Sequence, residues 1–139
     1  GLKAEHDGAD VLRAIFEGIV FSHKLDTDAL LSGADSAKVS SIRLAGGAVN
    51  SSVWCQMFAD ILGLPVEVTE GNEVGARGTA ICAAVAMGLY ANLEEAMKHM
   101  VRVTRVYEPH PKRQAAYARK FKAFQQLAQA LPGLYGTHD

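Results

Sequence analysis

Between Ile42 and Val68 the chain reads IRLAGGAVNSSVWCQMFADILGLPVEV. A short apolar run meets a double glycine, Gly46-Gly47, and then a polar turn, Asn50-Ser51-Ser52. The next apolar residues, Val53, Met57, Phe58, Ile61 and Leu62, recur at helical spacing. Gly63 stands where a helix ends, and Pro65 sits near the start of a second short β-like run, where proline is tolerated. Strand, helix and strand in so short a space form a crossover unit, because parallel neighbours need a covering connection between them. The pattern predicts strands over 39–45 and 65–69, adjacent and parallel, with a helix over 51–62 crossing between them.

The flanking sequence extends this α/β order. Asp7 or Asp10 can cap a helix running to about Leu30, with Val11, Leu12, Ile15, Phe16, Ile19 and Val20 at steps of three and four. Residues 32–38 form a polar linker. Residues 71–90 read as a helix of small residues, whose Ala76, Thr79, Ala80, Ala83 and Ala84 would let it lie close against a sheet. A further helix begins at Asn92, a capping residue, with Glu94 and Glu95 near the positive end of its dipole. Residues 101–109 alternate as an edge-like strand. Residues 111–131 form a terminal amphipathic helix whose Lys and Arg residues are expected on a solvated face. Two or three strands make a thin sheet for so many helices, and no strand precedes the first helix. The expectation is therefore one truncated domain over 1–139, part of a larger unit.

Composition narrows the function classes. A net charge of −1 supplies no field to draw the chain onto nucleic acid or an anionic membrane. At 49% hydrophobic and 21% charged residues it is an ordinary globular composition, and no apolar run is long enough to span a bilayer. Cys55 and Cys82 sit in helical patterns and form no C-x-x-C pair, which reads as packed, reduced thiols of a cytoplasmic protein. The histidines, His6, His23, His99, His110 and His138, have no ligand spacing, and no metal site is expected. Asp60 reads as a structural acid pairing with backbone or a basic residue. Glu73 reads as a first-turn carboxylate, and Arg13 and Glu17 as a bridge one helical turn apart.

The Gly-Gly junction has two readings. A strand that ends in glycines and enters a helix offers backbone N–H groups with no side chain in the way, which suits a phosphate or the flat face of a nucleotide. It also suits nothing more than a tight turn. Asn50, Ser51 and Ser52 could cap the helix, bond a ligand, or both. Trp54 could stack on a base or pack beneath the turn. The P-loop and dinucleotide fingerprints are absent.

At this stretch the chain resembles the C-terminal domain of the FGGY carbohydrate kinases. The resemblance rests on Gly46-Gly47-Ala48, Asn50-Ser51, Gln56, Ala59-Asp60, Leu62-Gly63-Leu64-Pro65-Val66, Glu73 and Gly78-Thr79-Ala80. Upstream it includes Arg13, Ala14, Glu17 and Gly18, and downstream the tail YEPHPKRQAAYARKFKAFQQL of the xylulokinase-like branch. Within that branch the L-xylulose or 3-keto-L-gulonate kinase type suits the pattern best.

The resemblance implies an α/β fold: part of an actin-like, ribonuclease-H-like ATPase domain, a short, mainly parallel sheet flanked by helices, with the domain's N-terminal strands missing. It implies ATP with Mg in a cleft between two domains, and an in-line transfer of the γ-phosphoryl group to a sugar hydroxyl. The sugar, a pentulose or related keto-sugar, and the catalytic base would belong mainly to a missing N-terminal domain, so no catalytic residue is expected in this chain. By position Gly46, Gly47 and Ala48 form the nucleotide-facing turn, Ser51 matches a polar position that can touch the adenine, and Asn50 is its neighbour. A free sheet edge invites self-association, so a homo-oligomer is expected. The alternative is a non-catalytic nucleotide-binding or interaction module, inactive as an isolated fragment.

Overall fold

The computed structural model describes residues 2–33, 39–71 and 73–135, so the polar linker expected at 32–38 lies outside them from residue 34 onward. Helix α1 spans Gly8–Gly33. Asp7 starts it by accepting from the N–H groups of Ala9 and Asp10 at 2.9 and 3.0 Å, and Asp10 accepts from the Asp7 N–H at 3.2 Å. The two acids thus cap each other's backbone reciprocally. Strand β1 is Ile42–Leu44, followed by one 3₁₀ turn, Gly47–Asn50. Helix α2, Ser52–Leu62, ends at Gly63, whose φ of 77° and N–H bond to the Ala59 carbonyl close it in the left-handed region. Then come strand β2, Val66–Thr69, helix α3, Val74–Ala86, helix α4, Leu93–Met100, strand β3, Val103–Tyr107, and helix α5, Pro111–Tyr135.

The sheet order is β1-β2-β3. β1 and β2 are parallel, with Ile42 opposite Val66 and Leu44 opposite Val68, as the crossover pattern requires. β3 lies at the far edge but runs antiparallel to β2, with Val66 opposite Tyr107 and Thr69 opposite Val103. The sheet is therefore mixed, where a mainly parallel one was expected. One helix separates β1 from β2, so the chain re-enters at the end where it began. Two helices separate β2 from β3, and the Thr69–Val103 pairing returns the chain at the end it left.

The core lies between one face of the sheet and the helices stacked on it. Val20 and Phe21 of α1, Met57, Phe58, Ala59 and Ile61 of α2, Val66 of β2, and Tyr117 and Phe121 of α5 form one buried cluster. Helix α2 is its centre, packed on β2 and β3 and covered by α1 and α5. Phe21 meets Tyr117, Phe121 and Phe124 at ring-centroid distances of 6.3, 5.7 and 5.5 Å. Such aromatic contacts add roughly 0.5–1.5 kcal/mol each beyond area burial.

Two buried acids tie the helices together. Glu17, 6% exposed, accepts from Arg13 Nε at 2.9 Å and Lys120 Nζ at 2.7 Å. Asp60, 2% exposed, accepts from Gln56 Nε2 at 2.9 Å, from the His110 backbone N–H at 2.8 Å and from Arg113 at 3.5 Å. The Arg13–Glu17 bridge and the structural role of Asp60 match the sequence reading. Arg113 and Lys120 lie on the exposed face expected for the basic residues of α5, at 58% and 53% side-chain exposure, and from there each also supplies the partner that a buried carboxylate needs.

Helix α3 departs from expectation as well. It packs on α4 rather than flat against the sheet. Ile81 and Ala84 are buried, while Ala76, Thr79, Ala80 and Ala83 are exposed. Small residues permit close packing but do not choose the partner. On α1 likewise, Val20 is buried and Val11, Leu12, Ile15 and Ile19 face outward.

Candidate functional site

The carboxyl ends of β1 and β2 lie side by side, and each strand leaves through a glycine into a helical turn. After Leu44 the backbone reaches Gly46 at φ 87°, ψ −162°, a region open in practice to glycine alone. That one residue turns the chain from the sheet into the 3₁₀ turn. The turn's first bond runs from Val49 N–H to the Gly46 carbonyl at 3.3 Å, so the N–H groups of Gly47 and Ala48 precede it and make no bond within the turn. On the other side β2 passes through Gly71, with φ 74°, before Val74 begins α3.

Between these two exits lies a cleft of about 280 Å³ whose walls include Leu44, Gly46, Gly47 and Asn50 on one side and Thr69, Gly71 and Val74 on the other. In open α/β sheets, ligands bind outside the carboxyl ends of parallel strands, and this cleft is at that place. Among the described residues no charged side chain lines it. The polar residues in its lining are Asn50 and Thr69, which with the backbone form a set that matches a neutral, flat, hydrogen-bonding ligand. A Cβ built on Gly47 meets no atom within 4 Å, and its φ is not positive. The protein itself therefore makes no demand for glycine at 47, and the open space in front of it is available to a ligand.

The five residues singled out from sequence separate here. Gly46, Gly47 and Asn50 line the cleft. Ala48 is half-buried and packs against the core. Ser51 is the N-cap of α2, its Oγ accepting from the Trp54 N–H at 3.2 Å. The opposite wall, Thr69, Gly71 and Val74, was not singled out, although β2 ends as β1 does, in a glycine before a helix.

Neighbouring groups brace the turn rather than react. Arg105 of β3 donates to the Val49 carbonyl at 3.4 Å. Cys55 donates to the Ala48 carbonyl at 3.5 Å, and burial pushes its thiol above the ordinary range, which Arg105 only partly offsets. A thiol so raised is a packing group. Trp54 stacks on Phe16, with ring centroids 4.7 Å apart and planes 19° apart, so its ring face is occupied by α1. Glu73 is the N-cap position of α3 and makes no side-chain capping bond. Among the described residues no group of three His, Cys, Asp or Glu side chains gathers to hold a metal ion, and no helix is long and apolar enough to cross a membrane.

Comparison with known proteins bears on this geometry. A profile of the "FGGY family of carbohydrate kinases, C-terminal domain" matches residues 1–87. The L-xylulose/3-keto-L-gulonate kinase of Escherichia coli (strain K12) is 35% identical over 135 residues, which is 97% of this chain and 27% of that protein. Among solved structures, gluconate kinase from Lactobacillus acidophilus superposes with a TM-score of 0.87 at 27% identity, over 100% of this chain and 28% of that one. The ligand-bound xylulose kinase from the same organism gives 0.84 at 28% identity, again over 100% and 28%. The chain thus spans roughly a quarter of the length of these relatives.

Proposed function

Because the chain belongs to the FGGY family of carbohydrate kinases, we propose that it is the nucleotide-side portion of an enzyme that transfers the γ-phosphoryl group of ATP to a hydroxyl of a pentulose or related keto-sugar. The observation that carries the reading is the cleft at the carboxyl ends of β1 and β2, with Gly46 at φ 87° and open space in front of Gly47.

Its uncharged lining suits the nucleoside end of ATP better than the triphosphate. The Gly46-Gly47 backbone lies against the base or ribose, and the Asn50 amide and Thr69 hydroxyl orient it. Ala48 and Ser51 act from behind. Ala48 seats the turn on the core, and Ser51 fixes the start of α2. Bound there, ATP supplies the phosphoryl group, and this chain holds its nucleoside end in place. Magnesium enters as Mg-ATP, and among the described residues no group of three metal-ligating side chains gathers to hold it. The sugar and the base that deprotonates it belong to the rest of the kinase, which works in the cytoplasm, where ATP is plentiful. Among the described residues β1 is paired on one side only, and another copy of the chain could pair the other, giving a homo-oligomer.

A second reading draws on the same cleft. With no acid in its lining, the 139-residue chain by itself would be a nucleotide-binding or interaction module without turnover. ADP release measured with ATP and a panel of ketoses distinguishes the two levels. The intact kinase is expected to turn over at least one pentulose, and the chain alone none. Turnover by the chain alone would overturn the placement of the base elsewhere, and an intact kinase inert toward every sugar would overturn the assigned reaction.

A further inference from the structure

We propose that Arg77, His99 and Arg102 form a binding site for a phosphate or phosphomonoester dianion, separate from the cleft at Gly46-Gly47 and independent of the nucleotide reading. Arg77 projects from α3, His99 and Met100 close α4, and Arg102 lies on the step into β3. With Glu70 at the end of β2 they line one depression of about 360 Å³. That volume sits near the low end of ligand sites, roughly 300–1,000 Å³, and suits a phosphate carrying at most a small ester group.

The charges in the depression are unbalanced. Arg13, Arg43 and Arg113 each face a carboxylate within ion-pair distance, whereas Arg77 and Arg102 take part in no ion pair among the described residues. Among the described residues the guanidinium of Arg77 bonds only to the carbonyl of Glu70, which leaves further N–H donors for a ligand. Glu70, the one acid in the lining, pairs with neither arginine. His99 is held flat against Tyr90, with ring centroids 5.5 Å apart and planes 13° apart, which orients its imidazole beside the two cations. Two like charges in one depression repel, and a bound dianion relieves that repulsion. Planar guanidinium forks take two oxyanion edges, and the imidazole adds a further donor.

The test follows thermal unfolding of the 139-residue chain in rising inorganic phosphate, against sodium chloride at matched ionic strength. Phosphate is expected to raise the melting temperature beyond the salt control. Arg102→Gln removes an exposed side chain that has no partner among the described residues, so its melting temperature in buffer should equal that of the unsubstituted chain, while its phosphate affinity falls at least fivefold. His99→Gln serves as a second variant and should weaken phosphate as well. Gly47→Val should leave the phosphate response intact. Glycerol 3-phosphate, run in parallel, identifies the source. Binding as tight as phosphate indicates an ester ligand, and much weaker binding indicates the free ion. A phosphate response no larger than that to chloride, one unchanged in Arg102→Gln, or one abolished by Gly47→Val would overturn the assignment.

Discussion

Gly46 and Gly47 are neighbours in sequence, but the fold requires glycine only at 46, and substitution can separate that requirement from a ligand's. At Gly47 an added side chain meets no protein atom within 4 Å and the φ is not positive. Gly47→Val should therefore change stability by no more than about 0.5 kcal/mol, as for surface substitutions away from special features. If the nucleoside lies against this backbone, the isopropyl group occupies the ligand's space. An overpacked contact costs roughly 1–3 kcal/mol, so ADP should bind about 5- to 150-fold more weakly. At Gly46 the cost falls on the fold instead. Forcing a Cβ into φ 87°, ψ −162° costs of order 1–3 kcal/mol, so Gly46→Ala should melt roughly 3–12 °C lower for a domain of this size. Calorimetric titration with ADP and thermal unfolding on the same preparations read both effects. A folded Gly47→Val variant with unchanged ADP affinity would refute the idea that position 47 is kept bare for a ligand. A Gly46→Ala variant as stable as the original would refute the backbone account of position 46.

Other residues give independent checks. Ser51→Ala removes the cap of α2 and should cost about 0.5–2 kcal/mol in urea denaturation while leaving ADP affinity nearly unchanged; a large loss of affinity at full stability would place Ser51 in the cleft itself. Asp60→Ala strands the buried donors it satisfies and should destabilise by about 1–3 kcal/mol; a neutral result would mean that water replaces the carboxylate. Arg43, and then Ser41, hold the Glu67 carboxyl below its usual range. A depressed carboxyl stabilises the fold above its unfolded pKa of about 4.3, and that stabilisation is lost as pH falls through the lower folded value. Melting temperatures from pH 5 to pH 2 should therefore fall less steeply for Glu67→Gln than for the unsubstituted chain, and parallel curves would remove Glu67 from the acid limb.

The crossover β1–α2–β2 was legible because every junction carries its own chemistry: Ser51 as cap, Gly63 in the left-handed region, Pro65 before β2. The direction of β3 was not legible. Alternation in Val103–Tyr107 reports a strand but no polarity, and polarity follows from how many helices intervene. That Arg113 and Lys120, exposed as expected, also reach buried acids is equally silent in sequence, since it depends on which helix brings a buried acid alongside. The small residues of α3 gave the right element and the wrong partner, because they license close packing on a sheet or on a helix alike. At the cleft, Gly46, Gly47 and Asn50 were found from one strand's end. Its other wall, Thr69, Gly71 and Val74, needed the parallel register of Leu44 with Val68 before the two strand ends could be seen to face each other. Ser51 and Asn50 are one residue apart, and only the backbone of the 3₁₀ turn decides which of them caps and which faces the cleft.

The central claim is that the nucleoside end of ATP sits between the carboxyl ends of β1 and β2. Its most direct test is an ADP titration of the isotopically labelled chain followed by backbone amide chemical shifts. The account predicts that the largest shifts fall on the amides of Gly46, Gly47, Asn50, Thr69 and Gly71, with those around Asp60 and Arg113 nearly still. Saturating ADP that moves none of the five, or that moves chiefly the Asp60–Arg113 region, would contradict it.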